Sequence, residues 1–275
     1  MRRFFACGIG ILFLFFFRGW AETKFICVGV SNYKSKQVKV IPSAVSSAQA
    51  MRECLRQKLC LKPENIFCFF NEAATKKIIL GVLNQNLSDL KKEDDLIFYW
   101  CGHSTLVGPK QNQVALMVYD SGGPNFDESV LYPQELVEAM VKNSRVGKVV
   151  LIFDCCVSGR MIRAIQDLEG EWKERMKINI LTSSDDEIKQ GSPAQYHMSY
   201  FAHFFIKGMR GKADFNQDAQ VTCKEIMDYL KKELDRDELD ILLTFEYGQF
   251  VLKRTRLKPQ CYLEMPDFIL GQIKK

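Results

Sequence analysis

Two short segments carry residue types that can do covalent chemistry: Tyr99-Trp100-Cys101-Gly102-His103-Ser104 and Phe153-Asp154-Cys155-Cys156-Val157-Ser158-Gly159. In each, an apolar run gives way to polar residues, with His at one end and Cys at the other. A thiolate, not a thiol, is the nucleophile. A neighbouring imidazole and a following helix N-terminus both lower a thiol's pKa. The backbone N–H of Cys156 is a ready donor to a tetrahedral oxyanion. The chemistry open to this pairing is nucleophilic attack on an acyl carbon.

The elements that must position these residues are legible from periodicity. Short apolar runs at 24–30, 65–70, 96–101, 148–154 and 178–183 predict strands, with an accessory strand at 113–119 and a last one at 248–253. Between them, apolar residues at helical spacing predict helices over 43–61, 75–90, from Pro133 to about 142, 199–209 and 222–234. Ile78, Leu83 and Leu87 are the expected buried residues of the second helix. This alternation predicts an α/β fold, a mostly parallel six-stranded sheet with helices on both faces. Ligand sites in such sheets lie beyond the carboxyl ends of the strands, where both segments above fall. At strand period two, Asp154 and Cys156 share one face and Cys155 takes the other.

The two segments, in this order, resemble the caspase-fold cysteine peptidases, nearer to bacterial caspase-like proteins and metacaspases than to animal caspases. Residues 154–159 are similar to that family's Asp-x-Cys-x-Ser-Gly, and residues 99–103 to its Tyr-Ser-Gly-His-Gly. Residues 28–33 resemble the family's opening strand, and residues 211–214 its closing helical segment. In caspases the His precedes the Cys by about 50 residues; here His103 precedes Cys156 by 53. The resemblance spans about 24–254 and implies a caspase-like sandwich.

It also implies roles. Cys156 is the nucleophile, His103 the general base and acid, and the N–H groups of Ser104 and Cys156 the oxyanion hole. Asp154 is an acid of the S1 pocket, so the implied specificity is cleavage after Arg or Lys, with Arg able to pair bidentately. Three positions depart from the family pattern. Ser104 stands where the family has Gly, Cys101 where it has Ser, and Ser47 where metacaspases carry a second S1 acid, for which Asp185, Asp186 and Glu187 could compensate. Cys101 is expected beside the S1 pocket, within disulfide reach of Cys156, or else as a small buried hydrophobe. Five basic residues between 159 and 177 are expected to offer self-processing sites. The alternative reading is a non-catalytic caspase-like protein that binds peptides in the same cleft.

Composition bounds the rest. The chain has 275 residues, 47% hydrophobic and 26% charged, an ordinary globular balance that excludes disorder. A net charge of +5 is too small to argue for nucleic acid. Arg2 and Arg3, then fourteen apolar residues from Phe4 to Phe17, then Gly19-Trp20-Ala21, read as a signal peptide over 1–21. Fourteen helical residues rise roughly 21 Å, short of the ~30 Å bilayer core. The expectation is therefore an exported, periplasmic or secreted, peptidase domain over 22–275 with no membrane span after cleavage, acting on protein or peptide substrates. No metal or other cofactor is expected, and calcium is the one ion left open. Residues 214–225 place oxygen-bearing side chains at five EF-hand positions, but Ala219 stands where the sharp turn favours Gly. The preferred reading is a polar turn with Thr222 and Glu225 as a capping box.

Overall fold

The computed structural model describes residues 21–110, 112–170, 172–184, 197–234, 241–246, 249–254 and 258–273. Residues 1–20 of the expected signal peptide and the acids at 185–187 lie outside these residues. In chain order the elements are β1 (Thr23–Gly29), α1 (Ala44–Lys58), β2 (Ile66–Phe70), α2 (Lys76–Asn86), β3 (Asp95–Cys101), β4 (Ser104–Val107) and β5 (Gln113–Leu116). Then come α3 (Phe126–Ser129), α4 (Pro133–Asn143), β6 (Lys148–Asp154), α5 (Gly159–Gln166), α6 (Trp172–Arg175) and β7 (Lys177–Thr182). The chain continues through α7 (Tyr200–Lys207), β8 (Gln220–Thr222), α8 (Cys223–Leu234), β9 (Ile241–Glu246), β10 (Gln249–Arg254), β11 (Gln260–Leu263) and β12 (Ile269–Gln272).

Six strands form the central sheet in the order β11-β7-β6-β3-β1-β2. All its pairings are parallel except β11 with β7. The expected α/β sheet, mostly parallel and covered on both faces, is therefore the observed architecture. Strand side chains alternate between two cores. Leu96, Phe98, Trp100, Val149, Leu151 and Phe153 enter one, beneath α2, α4 and α5. Ile97, Tyr99, Cys101, Val150 and Ile152 enter the other, with α1, α7 and α8. Burial on both faces is why these strands are apolar throughout.

Several expectations shift. Thr75 caps α2 by accepting the Ile78 N–H at 3.3 Å. Leu83 and Leu87 are buried as expected, but Ile79, on the same face as both, is buried in place of Ile78, which is 40% exposed. The strand expected at 248–253 is β10, and it pairs with β9 in a separate hairpin. The sixth strand of the sheet is β11, whose short QCYL sequence gave no strand signal. The basic residues after Cys156 do not lie on an open linker. Arg160 and Arg163 belong to α5, anchored by buried Met161 and Ile165, and Lys173 and Arg175 belong to α6. Cutting there requires a helix to melt first.

The 214–225 turn is built as a cap. Thr222 N–H donates to Glu225 Oε2 at 3.0 Å, and Glu225 N–H donates to Thr222 Oγ1 at 3.2 Å. The Asp214 carboxylate accepts the N–H groups of Asp218 and Ala219, both at 3.1 Å. Ala219 itself takes the left-handed conformation (φ 66°), so the turn forms without Gly.

Helix α1 is pressed onto the end of β1 at Gly29. A Cβ there would lie 2.8 Å from the Ala48 Cβ and 3.1 Å from the Ala44 carbonyl oxygen. Gly29→Ala is therefore expected to lose about 1–3 kcal/mol of stability, the usual cost of overpacking. Urea unfolding of the variant beside wild type checks this.

Candidate active site

β3 and β6 are neighbours, and their register pairs Cys101 with Asp154. His103 and Cys156 each follow that pair by two residues, so both emerge at the same edge of the sheet. Parallel neighbours are only ~4.8 Å apart. The gap is closed by a hydrogen bond from the Ser104 hydroxyl to the Cys156 carbonyl.

The histidine is held from three sides. Its N–H donates to the Tyr33 hydroxyl at 2.8 Å. Its carbonyl accepts the Met117 N–H at 3.0 Å. Its ring lies against the Tyr33 ring, centroids 5.3 Å apart and planes inclined at 33°. Gly102 permits this closeness, because a Cβ there would lie 3.2 Å from the Tyr33 hydroxyl and 3.3 Å from the Trp100 ring. His103 Nε2 lies 2.7 Å from the Lys39 carbonyl oxygen. A carbonyl can only accept, so Nε2 carries the proton and Nδ1 keeps the lone pair. Burial is the largest influence on the ring and holds its pKa below the ordinary value.

The cysteine end is a strained turn. Val157 takes φ 47°, an outlier for a β-branched residue, worth about 1–3 kcal/mol of strain. Serines from the end of β7 hold it. Ser183 Oγ and Ser184 Oγ both donate to the Cys155 carbonyl at 3.1 Å. Ser184 N–H donates to Ser158 Oγ at 3.1 Å, and Ser158 N–H contacts Ser184 Oγ at 3.3 Å. The turn leads directly into α5. Cys155 is fully buried, and burial pushes its thiol pKa up, whereas Cys156 is only half-buried.

Asp154 is fully buried and faces α1 and α7. Its Oδ2 accepts from the Tyr99 hydroxyl at 2.7 Å and from the Ser199 hydroxyl. Ser199 N–H in turn donates to Ser47 Oγ at 2.8 Å, and Ser47 donates to the Ser43 carbonyl at 2.6 Å. Cys101 is 2% exposed beside this network. Burial, with the Asp154 charge second, pushes its thiol pKa well up. The sulfur thus sits in the core under α1.

The structure brings His103, Ser104 and Cys156 together at the sheet edge, with Asp154 and Cys101 one layer below. Sequence reading passed over Lys39, Ser183, Ser184 and Ser199 as positioning residues. The Thr-Ser-Ser end of the fifth strand was the available signal for two of them. Lys39 acts through its backbone, which no side-chain pattern reports.

The sequence model of the metacaspase, peptidase C14 domain matches residues 23–165, just over half of the chain. The chain belongs to this metacaspase family. No curated protein matches it significantly. Among solved structures it is similar to a Geobacter sulfurreducens protein, with a TM-score of 0.62 and 13% identity, over 92% of this chain and 97% of that one. It is also similar to caspase-1 from Spodoptera frugiperda, with a TM-score of 0.61 and 10% identity, over 93% of this chain and 92% of that one. At these identities the likeness speaks for the fold. Within the metacaspase frame, two departures have structural uses here: the Ser104 hydroxyl bridges to Cys156, and Ser47 anchors Ser199.

The His103 environment predicts a pH effect. Burial favours neutral imidazole, so the folded-state pKa lies below the unfolded value of about 6.5. The associated stability is fully present above pH 6.5 and is lost as pH falls through the folded pKa. NMR titration, assigned against His103→Gln, should give a His103 midpoint below 6.5. A midpoint at or above 6.5 contradicts this account.

Proposed function

We propose that this metacaspase-family chain is an active cysteine endopeptidase with a Cys156–His103 dyad. The observation that carries the reading is the register: both residues stand two positions beyond the Cys101–Asp154 pair on adjacent parallel strands. The fixed tautomer of His103 supports it, since neutral Nδ1 is the base the thiol requires. His103 takes the Cys156 proton, and the thiolate attacks the scissile carbonyl. The N–H groups of Cys156 and Ser104 receive the oxyanion. His103 then protonates the leaving amine, and water attacks the thioester with His103 again as base.

Cleavage after Arg or Lys is the proposed specificity, with Asp154 as the acid at the base of the S1 pocket. Its hydroxyl partners keep that carboxylate satisfied without neutralising it, so its charge still acts on a basic side chain above. Export is proposed with cleavage before Glu22. Glu22 N–H already donates to Asp94 Oδ1 at 2.8 Å, so a chain cut there would set its new ammonium against a carboxylate.

The dyad is tested with peptide reporters and a thiol-reactive peptide probe. Cys156→Ala and His103→Ala should each abolish turnover, and the probe should label Cys156. Cys155→Ser should keep most activity, because Cys155 turns away into the opposite core. An unlabelled Cys156 in a folded protein that still binds peptide would favour the non-catalytic reading.

Specificity is tested separately. Arg and Lys reporters should be cut at least tenfold better than Asp reporters, since one desolvated charge pair supplies more than ~1.4 kcal/mol. Asp154→Asn should erase the preference. Equal cleavage of neutral reporters by wild type would remove Asp154 from substrate binding.

A further inference from the structure

Away from this site, two thiols face each other on the sheet. Cys27 of β1 and Cys68 of β2 are direct register partners in a parallel pair. Both side chains lie on the α1 face. Partners on parallel strands have Cα atoms about 4.8 Å apart, inside the ~4.4–6.8 Å range of disulfides. β2 is the edge of the sheet, so it can shift towards β1 without displacing another strand.

The two thiols differ in the ways that matter. Cys27 is fully buried, and its single S–H has two acceptors within reach, the Ala48 carbonyl oxygen at 3.1 Å and the Cys68 sulfur. Burial pushes its pKa well up, so it holds its proton. Cys68 is half-exposed on the edge strand. The Cys27 thiol and the Arg52 guanidinium, one turn along α1 from Ala48, stabilise its anion and bring its pKa down to about 7. A reachable thiol that ionises near neutral pH therefore sits against one that holds its proton. The peptidase chemistry uses neither.

We propose that Cys68 and Cys27 form an oxidation site for hydroperoxides, in which Cys68 is attacked first and Cys27 closes a disulfide. The Cys68 sulfur attacks one oxygen of hydrogen peroxide and breaks the O–O bond. This gives the sulfenic acid Cys68–SOH, and the expelled hydroxide takes up the proton that Cys68 gave up. The Cys27 sulfur then attacks the Cys68 sulfur. The sulfenic oxygen leaves as water with the Cys27 proton. Two thiols lose two electrons and two protons, and one peroxide becomes two waters. The bond staples the edge strand to the sheet beneath α1. It also shields Cys68 from further oxidation.

Rate is the first readout. Against an ordinary thiol of pKa ~8.5, a thiol at about 7 is ~16-fold more ionised at pH 7 but intrinsically ~fivefold less nucleophilic. The net advantage is about threefold at pH 7, and it reverses at pH 9. Full-length protein alkylated with iodoacetamide beside a cysteinyl model peptide should follow that pattern at Cys68. Digestion after Glu64 separates Cys60 from Cys68 for mass spectrometry.

Product is the second readout. A few equivalents of peroxide at pH 7 should convert most wild-type chains to a Cys27–Cys68 disulfide. Cys27→Ala should accumulate a dimedone-reactive sulfenic acid at Cys68. Arg52→Gln, which leaves the core intact, should slow disulfide formation severalfold. The proposal is overturned if Cys68 passes to sulfinic acid in wild type while Cys27 stays a free thiol. Alkylation of Cys68 slower than the model peptide at pH 7 would overturn it equally.

Discussion

The parallel pairing of β3 with β6 is the constraint on which the rest of the structure depends. Its register aligns Cys101 with Asp154, and the positions of His103 and Cys156 are counted from that pair. Slipping a strand by one residue would exchange its two faces. Asp154 would then enter the core that now holds Phe153 and Cys155, away from Tyr99 and Ser199. The register is secured by burial. Phe98, Trp100, Leu151 and Phe153 are all fully buried in one core, as are Ile97, Tyr99, Val150 and Ile152 in the other. Each large side chain so buried is worth roughly 1.5–3 kcal/mol.

Above that apolar base, the strand ends are held by hydroxyl groups. Ser104, Ser158, Ser183 and Ser184 tie the Cys155–Val157 turn to its neighbours, and Tyr99, Ser199 and Ser47 hold Asp154. Buried polar groups are costly unless bonded, and a satisfied network is correspondingly rigid. That rigidity is what allows Val157 to persist at positive φ next to Cys156. Tyr33 and the Lys39 carbonyl do the same for His103.

The chain's thiols show how far position outweighs residue type. Cys155, Cys101 and Cys27 are driven towards the protonated form by burial. Cys68, on an open edge against the Cys27 thiol and near Arg52, is driven the other way. Adjacent residues 155 and 156 differ because the strand's period of two sends the first into a core and the turn lifts the second out of it.

The sequence by itself determined the layered α/β architecture and the two strand ends that carry His103 and Cys156. Those depend on local periods of 2 and 3.6 and on short motifs, which need no knowledge of distant contacts. On α2 only the first of the expected buried residues escaped: Ile79, which is four residues before Leu83 and so on its face, is buried in place of Ile78. β11 escaped because its four residues owe their strand form to the edge of β7. Only the tertiary structure decided that Ser104 reaches Cys156, that Lys39 fixes the His103 tautomer, that Ser199 meets Asp154 and that Cys27 faces Cys68. Each of these contacts joins residues 41 to 64 positions apart. Only the packed sheet and the loops folded over its edge bring such residues within bonding distance.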